Sequence, residues 1–224
     1  MELSPVFLSL RVALTALIVI FALGVPLAHF MARSYFPGKD LLEALFSLPL
    51  VLPPSVVGFM LLFLFGKNGP LGSFLAQSFQ LQVIFTWWGA VLAAVIVAFP
   101  LMYRPVKAAF EGVDNKLEQA ARTLGSSELR VFFTITLPLA WPGVVTGLVM
   151  AFTRALGEFG ATLMIAGNIP GRTQTMPLAI YFAAETGEMR QAAILVALLT
   201  IFSFLVVFWS SRWQRERYTK LEGK

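Results

Sequence analysis

Long apolar stretches separated by short polar segments make up most of this chain. Five stretches have about the length, roughly 20 residues, with which a helix crosses a bilayer. They are residues 6–32, 41–65, 83–102, 138–166 and 191–211. We therefore predict an all-α membrane protein with about five transmembrane helices. No repeat or linker divides the chain, so residues 1–224 are predicted to form one transmembrane domain.

Two features modify this pattern. The second stretch contains Pro49, Pro53 and Pro54, which remove backbone donors. They predict a kinked or broken helix, and the alternatives are a break beside a polar path or a simple kink packed against neighbours. The segment TMPLAIYFAAETG, residues 175–187, is apolar but too short to span. We expect it to lie at the outer interface.

The composition supports a membrane protein and excludes several other classes. Hydrophobic residues make up 58% of the chain, charged residues only 13%, and there is no cysteine. Disulfides, thiolate metal sites and cysteine nucleophiles are therefore absent. An intramembrane hydrolase needs a Ser–His or paired-Asp arrangement, but Asp40 and Asp114 lie in predicted loops. His29, the single histidine, is expected to be interfacial, so no metal site is predicted.

The distribution of Lys and Arg predicts the orientation. The loops after the first, third and fifth stretches carry two, five and five of these residues, whereas the other side carries three, or four with Arg11. Cytoplasmic loops carry the excess of positive charge. The N-terminus is therefore predicted outside, and residues 104–137 and the C-terminus in the cytoplasm. The net charge of +5 is attributed to these loops and to lipid headgroups, and nucleic acid is not expected as a partner.

Loop 104–137 contains a short amphipathic segment. Asn115 followed by Glu118 resembles a capping box, and Gly125 is suited to a left-handed C-cap. Glu118 and Arg122 form an i, i+4 pair on the polar face. The opposite, apolar face consists of Leu117, Ala120, Ala121 and Leu124. A helix of this length is too short to be stable alone, so it needs a surface, either another protein or the underside of its own bundle.

The same loop carries a family signature. The pattern E-A-A, three residues, G, nine residues, I-x-L-P is matched by Ala120, Ala121, Gly125, Ile135, Leu137 and Pro138. Gln119 stands at the position of the signature glutamate, and Glu118 precedes it. On these residues the chain resembles the permease subunits of binding-protein-dependent ABC importers. The resemblance implies the type I ABC importer permease fold, with Glu118, Gln119, Ala120, Ala121, Arg122 and Gly125 as the ATPase-coupling residues.

A second motif, RALGEFGAT at residues 154–162, resembles the members of that family that move tetrahedral oxyanions, most closely molybdate. The resemblance implies a bacterial inner-membrane permease that acts as two copies around a path, with two cytoplasmic ATPase subunits and a periplasmic oxyanion-binding protein. The chain has no G-x-x-x-x-G-K-[ST] loop for nucleotide phosphates. It is therefore predicted not to be an enzyme itself and to hold no cofactor, while ATP and magnesium bind to the ATPase.

Within the fourth stretch, Arg154 and Glu158 are spaced i, i+4 and are expected on one helical face. Because ionised groups inside a bilayer are costly, they should pair and face the bundle interior. The pair is either a structural anchor or a support for the path or its gate. Thr153, Thr162 and Ser55 either line a polar route or bond to their own backbone.

Other functions remain open at this stage. Tungstate and sulphate or thiosulphate are the alternative substrates. A stand-alone channel or secondary carrier is the alternative from a different class, and co-purification of an ATPase distinguishes it from an importer permease.

Overall fold

The computed structural model describes residues 3–222, with side chains as far as Trp213. Residues 1–2 and 223–224 of the predicted domain lie outside it. Between residues 3 and 222 the chain forms helices and no strand. The helices are α1 Ser4–Arg33, α2 Lys39–Val51, α3 Pro54–Phe65, α4 Pro70–Phe79, α5 Trp87–Glu111, α6 Asn115–Thr123, α7 Glu128–Val131, α8 Leu137–Leu156, α9 Gly160–Ala166, α10 Met176–Glu185 and α11 Met189–Glu222, with a π-helical turn, Phe132–Thr136, before α8.

The prediction of about five apolar spans is confirmed. Within residues 3–222, four helical stretches are long and apolar enough to cross a membrane, and there are five if the bent pair α2 and α3 is counted as one. The four are Ser4–Arg33, Trp87–Glu111, Glu128–Leu156 and Met189–Trp213. All four extend beyond the predicted bounds at one end or at both, because backbone hydrogen bonding continues into the residues that flank the apolar stretches.

The second predicted span, residues 41–65, is broken and not continuous. Helices α2 and α3 are bent by 116° at Leu52 and Pro53. Proline disfavours the helical conformation in the residue before it, and Leu52 has the extended angles φ −73° and ψ 140°. Pro54 then occupies the first turn of α3, where no N–H donor is needed. The break that the prolines predicted is therefore present.

The fourth predicted span, residues 138–166, is also divided. Helix α8 ends at Leu156, residues 157–159 are not helical, and α9 starts at Gly160. The predicted cytoplasmic loop, residues 104–137, is shorter than expected, because α5 continues to Glu111 and the helical run into α8 begins at Glu128.

Helix α5 lies at the centre of the fold and packs most extensively against α1 and α8. Small buried side chains let these helices approach closely, as in other membrane bundles. They include Ala13, Ala16 and Ala28 in α1, Ala90, Ala93, Ala94 and Ala98 in α5, and Ala140 and Ala151 in α8. The ends of α5 mark the two ends of the bundle, and α6 follows at the end where α5 stops, at Glu111.

Helices α2, α10 and α11 lie around this core. None of the residues of α2 is buried, and α11 is largely exposed. The short apolar segment forms α10, which packs against α11 and α1. It is held to α1 by a hydrogen bond of 2.6 Å from the Met176 N–H to Oγ of Ser9. As predicted, α10 is a helix too short to span.

Candidate functional site

The amphipathic segment of the central loop is the helix α6, Asn115–Thr123. Its N-cap is Asp114, whose Oδ1 accepts a hydrogen bond of 2.9 Å from the Lys116 N–H. The predicted start at Asn115 was therefore wrong by one residue, because Asp114 has the extended backbone that an N-cap requires. The reciprocal bond of a capping box is replaced by other contacts of Glu118.

The predicted end of α6 is confirmed. Gly125 has a left-handed backbone, with φ +84°. The Ser126 N–H bonds to the Ala121 carbonyl at 3.0 Å, and the Gly125 N–H bonds to the Arg122 carbonyl at 2.9 Å. This pair of bonds is the Schellman motif, which satisfies carbonyls at a helix end. No atom lies within 4 Å of the position of a Cβ at Gly125, so only its backbone angle restricts substitution.

Helix α6 turns its apolar face away from the bundle. Leu117 is 48% exposed and Leu124 is 87% exposed, whereas Glu118 is only 3% exposed. Ala120 and Gln119 are also exposed, and Ala121 is half-buried. A helix that packs beneath its own bundle would bury its apolar face. The observed orientation instead leaves this face available to another protein.

Glu118 points into the bundle and joins three segments. Its Oε1 accepts hydrogen bonds from Nη2 of Arg33, at 2.7 Å, and from Oγ1 of Thr136, at 2.8 Å. The same Nη2 of Arg33 donates to the Val113 carbonyl at 3.1 Å. Arg33 ends α1, and Thr136 is the last residue of the π-helical turn. The carboxylate therefore ties α6 to the end of α1 and to the start of α8.

The predicted pair between Glu118 and Arg122 is present but long, with 3.5 Å between Oε2 and Nη2. Arg122 is held more closely by Glu128, whose two oxygens lie 2.6 Å from Nε and 3.0 Å from Nη2. This two-point contact raises the pKa of Arg122, so the guanidinium stays charged. Arg122 thus connects α6 to the start of α7.

His29 lies between two aromatic rings near this cluster. Its ring centroid is 5.0 Å from that of Phe110 and 4.8 Å from that of Phe132. No group of three or more potential metal ligands occurs within residues 3–222. The aromatic contacts give His29 a packing role near the end of α1, where Arg33 contacts α6.

Arg154 and Glu158 form the expected ion pair, with 2.7 Å between Nη2 and Oε2. They do not share one helix, as we had expected, because α8 ends between them. Oε1 of Glu158 instead accepts a bond of 2.8 Å from the Ala161 N–H, in the first turn of α9. The side chain of Glu158 is 2% exposed and that of Arg154 is 29% exposed. One buried carboxylate therefore connects the end of α8 to the start of α9.

The two helix breaks meet at this point. A Cβ added to Gly58 of α3 would lie 2.7 Å from Cα of Ala161, so the backbones of α3 and α9 are in close contact. A Cβ on Gly160 would lie 3.3 Å from the backbone nitrogen of Ser55. Ser55 is therefore brought beside the start of α9, and it is exposed.

The threonines behave differently from Ser55. The hydroxyl of Thr153 bonds to carbonyls of its own helix, those of Val149 at 3.0 Å and Met150 at 3.1 Å. Of the two roles considered for Thr153, the structure shows the backbone one. Thr162 is buried in α9, one residue after Ala161.

Sequence reasoning missed Arg33 and Thr136 as partners of Glu118. They lie 85 and 18 residues from it along the chain, so no local periodicity relates the three. A buried carboxylate needs charged or hydrogen-bonding partners. The amphipathic pattern placed Glu118 on the polar face of the helix and does not indicate that this carboxylate is buried against other segments.

Residues 24–220 match the family described as binding-protein-dependent transport system inner membrane component. The chain belongs to this family.

Curated members of the family are similar over nearly the whole chain. The putative molybdenum transport system permease protein YvgM of Bacillus subtilis is 49% identical over 206 residues, covering 92% of this chain and 91% of the relative. Molybdenum transport system permease protein ModB of Escherichia coli K12 is 49% identical over 221 residues and 96% of each chain. The sulfate transport system permease protein CysT of Salmonella typhimurium is 37% identical over 185 residues, covering 83% of this chain and 66% of the relative.

Solved structures of ABC transporters share the fold. A bacterial ABC transporter that imports alginate matches with a TM-score of 0.74 at 14% identity, over 96% of this chain and 79% of the other. The MetNI methionine ABC transporter in inward-facing conformations matches with a TM-score of 0.67 at 17% identity, over 95% and 94%. The predicted type I ABC importer permease fold is therefore confirmed for this member of the family.

Proposed function

We propose that this permease is the membrane-spanning subunit of an ATP-driven importer and forms the path for an oxyanion, molybdate. Support for the substrate comes from identity, which is 49% to the molybdenum permeases and 37% to the sulfate permease. The observation that supports the role as an energy-coupled permease is the apolar face of α6, which points away from the bundle and is exposed.

Helix α6 is the docking element for a separate ATPase subunit. Leu117 and Leu124 expose apolar surface that the bundle does not cover. Exposed Gln119, at the signature glutamate position, offers a hydrogen-bonding amide to the same partner. The small side chains of Ala120 and Ala121 allow close approach. ATP and magnesium bind to that ATPase, and its conformational changes reach this chain through α6.

The end of the bundle that carries α6 faces the cytoplasm in this proposal, following the excess of Lys and Arg in the loops. The N-terminus then lies outside, where a periplasmic binding protein delivers the anion. A second copy of the chain completes the path. Helix α2 has no buried residue and contacts α5 on one side, so it leaves the rest of its surface for that copy or for lipid.

The two helix breaks form the region that supports the gate. Broken helices within a membrane are tolerated where they are buried in protein or line a polar cavity. Here Glu158 is buried and Ser55 is exposed beside the same break. Because Glu158 neutralises Arg154, we assign the pair to holding α8 and α9 together and not to binding the anion.

Docking through α6 is tested by replacing Leu124 with aspartate and measuring how much ATPase co-purifies with the permease. A carboxylate on this apolar face should abolish co-purification, because it would be buried without a partner in the interface. The matched control is Leu81→Asp, at the opposite end of the bundle, where the leucine is 57% exposed. Normal co-purification with Leu124→Asp, or equal loss with Leu81→Asp, would contradict docking through this face.

The substrate is tested by ATP hydrolysis in the reconstituted complex with its binding protein. Molybdate should stimulate hydrolysis, and tungstate, which has nearly the same size and charge, should do so as well. Sulphate should stimulate it much less. Stronger stimulation by sulphate would show that the complex is a sulphate importer.

A further inference from the structure

Glu118 differs from every other charged residue of the α6 region in its surroundings. Its side chain is 4% exposed, compared with 40% for Arg122 and 74% for Glu128. Both of its close donors lie outside its own helix, one at the end of α1 and one before α8. It is therefore the point at which α6 is fixed to two helices of the bundle.

Chain connectivity joins α6 to α5 on one side and, through α7, to α8 on the other. It does not join α6 to α1, which lies 85 residues away at the Arg33–Glu118 contact. Since α1 packs along α5 and also touches α8, a link from α6 to α1 lets one movement reach all three core helices.

The link is built as a stiff contact. A charged pair with a hydrogen bond of 2.7 Å is short, and low exposure protects it from competing water. The π-helical turn places Thr136, 1% exposed, against the same carboxylate oxygen. Isolated π turns often occur where a helix must present a particular side chain to a functional site.

We infer that Glu118 is the positioning residue that carries the displacement of α6 to α1 and α8 during transport. The inference rests on the proposed docking of an ATPase on α6 and concerns the opposite face of that helix. Gln119, at the acidic position of the family signature, cannot serve this purpose, because it is exposed and faces away from the bundle. In this chain the acidic group that binds the bundle is one residue earlier.

Arg33 is the matching half of the link. One of its terminal nitrogens, Nη2, bonds to both the Val113 carbonyl and Glu118. The side chain thus holds the residue before the α6 cap and the helix itself in one geometry.

The test separates docking from transmission in the reconstituted complex with ATPase and binding protein. Glu118→Gln keeps an acceptor oxygen for Arg33 and Thr136 but removes the charge that strengthens both bonds. We expect normal ATPase co-purification and ATP hydrolysis near the wild-type rate. Molybdate imported per ATP hydrolysed should fall by roughly tenfold, in the range of single substitutions that weaken coupling between sites. Glu118→Ala should lower this ratio further.

The matched control is Glu111→Gln, which breaks the 3.1 Å ion pair between Lys107 and the 45% exposed side chain of Glu111 at the end of α5 and should leave the ratio unchanged. Arg33→Gln should reproduce the defect of Glu118→Gln, and the double variant should be no worse than either single one, because both break the same link.

A ratio that stays at the wild-type value in Glu118→Gln and Glu118→Ala would overturn the inference. So would single effects that multiply in the double variant. Loss of ATPase binding in Glu118→Gln would also overturn it, because Glu118 would then act in docking. If the wild-type permease bound no ATPase, the proposed function would fail, and the co-purification step detects that separately.

Discussion

The ion pair at the break between α8 and α9 should respond unequally to the loss of its two members. Arg154→Met removes the cation and leaves the carboxylate of Glu158, whose side chain is 2% exposed, without its ion-pair partner. Glu158→Gln removes the anion and leaves Arg154 unpaired, but the side chain of Arg154 is 29% exposed and therefore less deeply buried than the carboxylate. The first variant should therefore be the more damaging.

The magnitudes follow from the contacts. A buried charge stripped of its partner costs about 3–5 kcal/mol, and we expect Arg154→Met in that range. Glutamine at 158 keeps an oxygen for the Ala161 N–H and leaves unpaired only the less buried Arg154, so Glu158→Gln should cost less, about 1–3 kcal/mol. The double variant Arg154→Met with Glu158→Gln leaves no isolated charge, so it should be more stable than Arg154→Met alone.

The assay is thermal unfolding of the purified permease in detergent, followed by the loss of its monodisperse elution peak. The expected order of midpoints is wild type, then Glu158→Gln, with Arg154→Met lowest and the double variant above it. A Glu158→Gln midpoint below that of Arg154→Met would refute the reasoning from burial. A double variant less stable than both single ones would refute the pairing itself.

Substitutions at three further positions test other parts of the structure. Gly125→Val should destabilise the end of α6 by roughly 1–2 kcal/mol and reduce ATPase co-purification, because valine disfavours the left-handed backbone. Gly125→Asn should retain more co-purified ATPase, because asparagine accepts that backbone. Asp114→Ala removes the N-cap of α6 and should cost about 1 kcal/mol, detected as faster amide hydrogen exchange across the helix. Gly58→Ala should lower the unfolding midpoint, because its Cβ would meet Cα of Ala161 at 2.7 Å, and an unchanged midpoint would show that α3 and α9 are not in close contact.

The architecture could be predicted from sequence where local rules decide it. Apolar length indicated about five spans, and the prolines at 53 and 54 indicated a break that the structure shows as a bend of 116°. Gly125 predicted the end of α6, because few other residues adopt a left-handed backbone there. The spacing of Arg154 and Glu158 predicted their pairing.

The remaining features depend on contacts that no local rule describes. The sequence left open whether the apolar face of α6 packs on its own bundle or on another protein. Only the fold shows that this face points away from the bundle. Glu118 was placed on the polar face of α6 by the local pattern, which cannot reveal a partner, Arg33, that lies 85 residues away. The division of the fourth span after Leu156 was missed because the stretch stays apolar across the break, apart from the pair.

The most direct test of the account is molybdate uptake into proteoliposomes that contain the permease, with and without its ATPase, and with the binding protein supplied on the outer side. The account predicts uptake only when the ATPase and internal ATP are both present, with sulphate a poor substitute for molybdate. Equal uptake in vesicles that lack the ATPase would contradict the account and would identify the protein as a channel or secondary carrier.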